Sequence, residues 1–445
     1  MRFAHAGVSF HINTYQPSVL NFKGVLLMKK EKLFHRDFTL MVIGQIISLF
    51  GNSILRFSLS LFVLDQTGSA AAFGGILAIS MIPTVLLSPF GGLLADRVNK
   101  RNIMVILDFT TAAVIALFAL FFVNSESLLP IALVMVLLSV IQSFYQPSVQ
   151  ASIPALTHDE NLARANGTVI QVNALSNLLG PIIGGFLYGF LHIDTILFVS
   201  GVCFFLSATM ELFLRIPFIR REKTGSILRT VRDDLTGAMR FLTHDNPQLF
   251  KLLGIVAALN LFLSALVMVG LPYLIKIYLG LSSQLYGFAE GALAVGSILG
   301  GCLAGIVAKK MDFLKSHKLL LIAGVALLPI GLAVISPGAP FVSYGVIVLS
   351  VVACMCCAAL FTIFAQTFAQ RVTPGDLLGK VFSLITVISI CSLPIGQAMY
   401  GFLFDRFGGG SCIILFIACI ASLVIALLTG KILKKIEPAQ EAQAE

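Results

Sequence analysis

Twelve apolar stretches constrain this chain more than any other feature. They lie near residues 39–63, 72–95, 103–123, 128–149, 167–190, 195–215, 252–275, 285–308, 318–336, 341–364, 380–403 and 411–430. Each, as a helix rising about 1.5 Å per residue, is long enough to cross about 30 Å of hydrocarbon. They are continuous runs, not alternating ten-residue segments, which argues against an outer-membrane barrel. Composition agrees: of 445 residues, 58% are hydrophobic and 11% charged, against roughly 25% charged in ordinary soluble domains. A soluble globule of this length cannot hide so much apolar surface. Disorder, a coiled coil and a disulfide scaffold fail on the same numbers. The expected fold is an all-α membrane protein with twelve transmembrane helices.

Lysine and arginine give the orientation. With the N-terminus inside, the cytoplasmic segments hold 25 of the 30 basic residues, and only Lys276 and Arg406 fall outside. Both termini are therefore expected in the cytoplasm, in a multi-pass protein of the cytoplasmic membrane. The same asymmetry accounts for the net charge of +9, so no nucleic-acid partner is needed; the basic loops face lipid headgroups. Eight cysteines all sit in apolar runs. Cys354 and Cys357 form a CxxC with no histidine nearby, and read as small buried hydrophobes rather than a metal site. Residues 1–27 contain no signal-peptide core, and Met28-Lys29-Lys30-Glu31-Lys32 reads like a cytoplasmic start. The leader reads as a misassigned extension or a disordered tail.

One polar segment is long. Residues 216–250 separate six spans from six, and Leu228, Val231, Leu235, Ala238, Met239 and Leu242 recur at helical spacing. This predicts an amphipathic helix on the inner membrane surface. The expected organisation is an N-terminal segment 1–38, a six-helix bundle 39–215, the linker 216–250, a second bundle 251–430 and a tail 431–445. The halves repeat. Phe144-Tyr145-Gln146, Gln150 and Pro154 match Phe364-Ala365-Gln366, Gln370 and Pro374, every pair 220 residues apart. Tyr188-Gly189-Phe190-Leu191 likewise matches Tyr400-Gly401-Phe402-Leu403. Two matches at equivalent places argue for an internal duplication, the architecture of secondary transporters with a midplane site.

The loop after the second span reads Gly91-Gly92-Leu93-Leu94-Ala95-Asp96-Arg97-Val98-Asn99-Lys100-Arg101. Gly92 lets helices approach closely. Asp96 can cap a helix N-terminus or pair with a basic side chain. Arg97, Lys100 and Arg101 suit anionic headgroups. The pattern G-x-L-A-D-R-x-x-[KR]-R between the second and third of twelve spans resembles the signature loop of the major facilitator superfamily. The resemblance implies that this loop latches a cytoplasmic gate, the alternative being a basic loop that only sets topology. Asn99 stands where the family has Gly, and is expected to keep a left-handed turn. Asp108, a little further on, is expected to pair with the loop. The equivalent position in the second half is Gly305, so the charged latch is expected in one half only.

The fifth span carries Ser176, Gly180, Pro181, Gly184 and Gly185. This resembles the G-x3-G-P-x2-G-G motif of proton-coupled exporters in that superfamily, with Ser for the first Gly. Pro181 removes a backbone donor and permits a kink, and the glycines allow close packing. Asn173 and Asn177 on the same span, Gln142 and Gln146 on the fourth, and Gln366 and Gln370 on the tenth form polar stripes. Such stripes either line a cavity or act as interhelical hydrogen-bond glue. Among charges within spans, Arg56 and Glu290 both lie about 9 Å deep from the outer side. Arg56 can snorkel to the interface. Glu290 cannot, and an ionised carboxylate there is expensive, as a proton carrier requires. Glu290 with Arg56 as partner is the proton-coupling candidate pair, the alternative for Glu290 being a hydrogen-bonded or protonated structural residue. No G-x4-G-K-[ST], H-E-x-x-H or G-x-S-x-G pattern occurs, so nothing points to ATP hydrolysis or another enzymatic activity.

Leu378-Gly379-Lys380-Val381-Phe382-Ser383-Leu384, Leu393-Pro394-Ile395-Gly396 and Gly401-Phe402-Leu403-Phe404-Asp405-Arg406-Phe407-Gly408 resemble the macrolide-efflux branch of the superfamily, as do Thr67-Gly68-Ser69-Ala70 and Asp108. The arginine that many such exporters carry on the fourth span is missing from Ser139-Val140-Ile141-Gln142. Its assigned role in proton coupling then falls to another residue or is absent. The resemblance implies a monomeric antiporter that exports a lipophilic or amphipathic drug-like solute, with antibiotic resistance as its phenotype. It implies no cofactor and a proton gradient as the energy source. Rival readings are an exporter of an endogenous metabolite such as a siderophore, and a membrane sensor that transports nothing.

Overall fold

The structure, a computed structural model, describes residues 33–123, 125, 127–217, 236–309, 311, 313–335, 339–408 and 411–434. The leader 1–27, linker residues 218–235 and the tail from 435 lie outside the described residues. Every regular element described is helical, and twelve helices are long and apolar enough to span a membrane. They are α1 (Arg36–Thr67), α2 (Ala70–Arg97), α3 (Lys100–Phe121), α4 (Leu129–Leu156), α5 (Asp159–Phe190) and α6 (Ile193–Glu211). The second half has α7 (Pro247–Tyr278), α8 (Ser283–Val307), α9 (Phe313–Ile335), α10 (Pro340–Val372), α11 (Gly375–Phe407) and α12 (Ser411–Lys434).

Each expected run is one of these helices, but several helices outlast the run. Helix α5 starts eight residues before residue 167, and α10 ends eight residues past residue 364. Hydropathy marks where lipid begins, whereas a helix stops where its cap is. Local chemistry explains the turns. Gly68 ends α1 at φ 60°, a left-handed conformation suited to glycine. Ser69 then caps α2, its Oγ accepting the Ala72 N–H at 3.0 Å. His35 caps α1 through Nδ1, and its Nε2 donates to the Leu156 carbonyl at 2.6 Å, tying α1 to the end of α4.

Helix α7 is irregular. Two π-helical stretches, Asn260–Ser264 and Tyr273–Tyr278, flank a segment ending at Pro272. A proline cannot donate to the preceding turn, and π-widening is one way to absorb that. Helix α9 breaks between Val325 and Leu328, just ahead of Pro329.

Only the end of the expected linker helix is described. Residues 236–240 are helical and run into a π-turn at Phe241–Asp245. Ala238 and Leu242 are fully buried and share a hydrophobic cluster with Leu320 and Phe361. Over this stretch the buried apolar residues pack against the second bundle.

Helices α1–α6 pack among themselves, as do α7–α12; between the two sets, α2 lies against α11 and α5 against α8. Twelve antiparallel passages bring the start of α1 and the finish of α12 to one end. At that terminal end the buried clusters stay separate: Phe38, Met104 and Ile153 belong to the first bundle, Leu242, Phe361 and Leu433 to the second. At the far end one cluster joins both, with Leu64, Ala70 and Phe73 beside Leu274, Tyr286 and Phe404. The bundles thus close on each other at the far end and part toward the terminal end.

Candidate functional site

The far-end closure is backbone against backbone. A Cβ on Gly185 of α5 would lie 2.7 Å from the Ser283 carbonyl oxygen and 2.9 Å from Gly287 Cα of α8. A Cβ on Gly287 would meet the Pro181 oxygen at 2.6 Å. On the other side, Gly74 of α2 faces the Gln397 carbonyl and Gly401 of α11 faces the Ala70 carbonyl, each at 2.6 Å from an added Cβ. Toward the terminal end the same helices turn to their own bundles. Gly91 of α2 abuts the Ser143 carbonyl of α4, and Gly296 and Gly300 of α8 abut the Val352 and Cys356 carbonyls of α10.

Polar contacts reinforce the closed end. Asp405 of α11 sits at the N-terminus of α2, accepting the Ser69 hydroxyl, the Ala70 N–H at 2.7 Å and the Ala71 N–H at 3.2 Å. The free amides and the helix dipole there favour an anion. Lys276 of α7 pairs with Asp65 of α1 at 3.1 Å and donates to Ser283 of α8 at 2.8 Å. Asp405 was not singled out as a candidate. A signal existed: Gly401-x3-Asp405-Arg406 has the spacing of Gly92-x3-Asp96-Arg97 in the gate loop.

Below the closure lies a cavity of about 450 Å³, lined by both bundles. Its apolar wall includes Phe57, Phe73, Leu77, Met81, Met135 and Met268; its polar wall includes Asn52, Gln142, Gln146, Asn173, Asn177 and Gln397. Arg56 and Glu290 both face it, but no ion pair joins them. Arg56 donates from Nε to Asn52 Oδ1 at 3.1 Å and from a terminal nitrogen to Ser139 Oγ at 2.9 Å. It reaches across to α4 instead of snorkelling outward, and brings a guanidinium to the fourth span, which has no arginine of its own. Glu290 accepts the Tyr286 hydroxyl at 2.8 Å. The Tyr286 ring stacks on Phe57 of the first bundle, centroids 4.9 Å apart and planes 15° apart. Phe57 in turn fills the space before Gly184, where a Cβ would approach it at 3.0 Å. The exporter-motif glycine, the two-ring roof and the cavity carboxyl thus form one contiguous chain.

The motif residues divide accordingly. Ser176 and Pro181 line the cavity. Gly180 admits Ser53 of α1, Gly184 admits Phe57, and Gly185 admits α8. Helix α5 stays one continuous helix through Pro181. Gln142, Gln146, Asn173 and Asn177 line the cavity, whereas their tenth-span counterparts do not. Gln366, itself exposed, lines a separate void of about 290 Å³ walled by second-bundle residues, and Gln370 is exposed. The sequence repeat is symmetric there, but the cavity is not.

The gate loop departs from expectation in three respects. Gly92 has nothing within 4 Å of an added Cβ, so it is Gly91 that brings α2 close to a neighbour. Asn99 adopts φ −62° and caps α3, accepting the Arg101 N–H at 3.1 Å; no left-handed turn forms. Asp108 does not reach the basic loop: it is 2% exposed and bonded by Ser48, while Arg101 donates to the Leu212 carbonyl. Arg97 closes the last turn of α2 and Lys100 opens α3. The Asp96 side chain lies outside what the structure describes. All eight cysteines are free, and among the described residues no cluster of metal ligands forms.

Two six-helix bundles around a cavity closed at one end define a multi-pass membrane transporter. The chain belongs to the Major Facilitator Superfamily, whose family model matches residues 41–393. It is 25% identical to macrolide efflux protein A of Streptococcus pyogenes over 380 residues, covering 82% of this chain and 88% of that protein. It is 22% identical to the staphyloferrin A transporter of Staphylococcus aureus, covering 80% and 87%. Among solved structures, a bacterial homologue of the iron transporter ferroportin in an inward-facing state aligns with a TM-score of 0.68 at 19% identity, covering 91% of this chain and 99% of that one. The nucleoside transporter NupG aligns at 0.68 and 15% identity, covering 88% and 99%. These structural likenesses concern the fold alone.

Proposed function

We propose that this secondary transporter exports a lipophilic or amphipathic solute across the cytoplasmic membrane in exchange for protons, by alternating access. The terminal end is the cytoplasmic one on this reading, because the basic residues gather there. The cavity then faces the cytoplasm, ready to load. The observation that carries the reading is the cavity itself: an apolar and methionine-bearing wall, adaptable to more than one shape, set against a few fixed polar groups. Glu290 is the proton carrier. Its partner Tyr286 belongs to the ring stack that spans both bundles, so opening the far end disturbs the carboxyl's environment, and protonation biases that opening. The similarity to macrolide efflux protein A makes a macrolide the first solute to test.

A second reading has its own support. Arg56 and the carboxamides suit a carboxylate-bearing metabolite, and a relative is named for staphyloferrin A. The experiment is uptake into inverted vesicles, acid inside, of a radiolabelled macrolide and, separately, of a siderophore. The export reading expects accumulation of one of them that collapses with the pH gradient. Accumulation only in right-side-out vesicles would make this an importer, and no flux of either would favour a non-transporting sensor.

A further inference from the structure

Two carboxyl side chains lie behind the cavity wall and take no part in the scheme above. Asp108 of α3 is 2% exposed, and Glu211, the last residue of α6, is fully buried. Ser48 of α1 donates to Asp108 Oδ2 at 2.6 Å and lies 2.8 Å from Ser207 Oγ. Ser207 stands one helical turn before Glu211 on α6, and Tyr145 of α4 donates to Glu211 Oε1 at 2.8 Å. Four helices therefore converge on the two acids.

No cation answers them. Arg56 of α1 is committed to Asn52 and Ser139; Arg101 of α3 donates to the Leu212 carbonyl, with its Nε unpartnered, and pairs with neither acid. At the start of α1, Asp37 accepts the Arg215 N–H. Helix α4 carries no Lys, Arg, Asp or Glu, and the only titratable group it offers the pair is Tyr145. Near the pair, α6 adds only the neutral Ser207; its other charged residue, Asp194, lies in its first turn. Among the described residues neither acid forms an ion pair. A buried carboxylate without a counter-charge is costly, and two that share a site cannot both ionise.

Two further observations point to a ligand. Glu211 Oε2 is buried and has no hydrogen-bond partner, a vacancy that an O–H on that oxygen or a donor reaching it would answer. A void of about 10 Å³ adjoins Asp108, and its lining residues Leu49, Asn52 and Gln142 also line the central cavity. That volume is about one water, too small for a hydrated metal ion.

We propose that Asp108 and Glu211 form a proton-binding site that fills and empties through the Asn52–Gln142 gap, with Arg56 at its mouth. Loading forms an O–H bond on a carboxylate oxygen and breaks one on a hydronium ion, which leaves as water; emptying reverses the step. The site deepens the proton-exchange reading, on which its purpose rests, but its chemistry does not require that a macrolide be the solute.

The test uses the purified full chain in lipid nanodiscs, in sodium-free buffer and without any solute. Infrared spectroscopy at neutral pH should show a carboxylic C=O band that loses one component in Asp108→Asn or Glu211→Gln. This component should differ from any removed by Glu290→Gln. Carbon-13 labelling of aspartate and of glutamate, in separate wild-type samples, should shift that component in the sample that labels the protonated acid, which keeps the test valid if a variant does not fold. Asn52→Leu should slow its deuterium exchange. A spectrum with both acids ionised at neutral pH overturns the proposal, and so does displacement of the band by added sodium, which would make this a cation site. Neither outcome bears on whether the protein moves a macrolide.

Discussion

At the scale of single residues, the informative side chains bridge elements that are distant in the sequence. Asp405 joins the second bundle to the start of α2 through three donors. A carboxylate at a helix N-terminus contributes about 1 kcal/mol when half-exposed, a factor of about five in population. Asp405→Asn should therefore lower the ratio of closed to open molecules at the far end by about that factor. Spin labels at the far ends of α2 and α11 would report it as a longer distance; unchanged distances would make the contact ornamental. Glu290→Gln keeps an acceptor for the Tyr286 hydroxyl, so folding and solute binding should survive while the pH dependence of efflux flattens. An unaltered pH profile would remove Glu290 from the coupling scheme. The guanidinium that Arg56 brings to Ser139 was invisible in sequence, because the residues are 83 positions apart and only the folded chain shows which helix an arginine leans on.

At the scale of elements, the twelve helices were legible because lipid imposes its demand on every residue of a span. What was not legible is which faces meet across the bundles. Gly92 carries the gate motif, yet its neighbour Gly91 is the one in contact. Gln366 repeats Gln146 in sequence, yet faces a different void. Those choices belong to the pairing of α2 with α11 and α5 with α8, which no local pattern encodes. The pairing yields a sharp test. An added Cβ at Gly74 would lie 2.6 Å from the Gln397 carbonyl oxygen, while Gly75 beside it has nothing within 4 Å. Gly74→Leu should cost about 1–3 kcal/mol of far-end closure through overpacking and so suppress transport, and Gly75→Leu should not. Equal transport rates for the two variants would refute the seam. Gly185→Leu should behave like Gly74→Leu, its Cβ meeting the Ser283 carbonyl oxygen at 2.7 Å.

At the scale of the whole molecule, the proposed alternating access needs two latches that are never closed together. Asp405 with the Asp65–Lys276 pair is the proposed far-end latch, and the gate loop with Asp96 that of the terminal end. Opposed effects follow. In a chain freed of its eight cysteines, a cysteine at Met81 in the cavity wall reports access to a membrane-impermeant thiol reagent. Asp405→Asn should raise its labelling from outside the cell. Asp96→Asn should lower that labelling and raise it in inverted vesicles. If both substitutions shift labelling the same way, the two loops are not opposing latches.

Helix α8 has a mechanical meaning beyond its packing. It is gripped by α5 as far as Gly291 and then runs sixteen residues to Val307 beside α10, a lever arm of about 24 Å at about 1.5 Å per residue. A tilt of about 15° at the grip would swing the tip by about 6 Å, as in hinge movements of packed domains. On the proposed alternating-access reading, small adjustments where two glycine backbones touch would be geared up into an aperture wide enough for a bulky solute. The glycines at the grip add no side chain of their own, while Tyr286 and Glu290 beside them line the cavity.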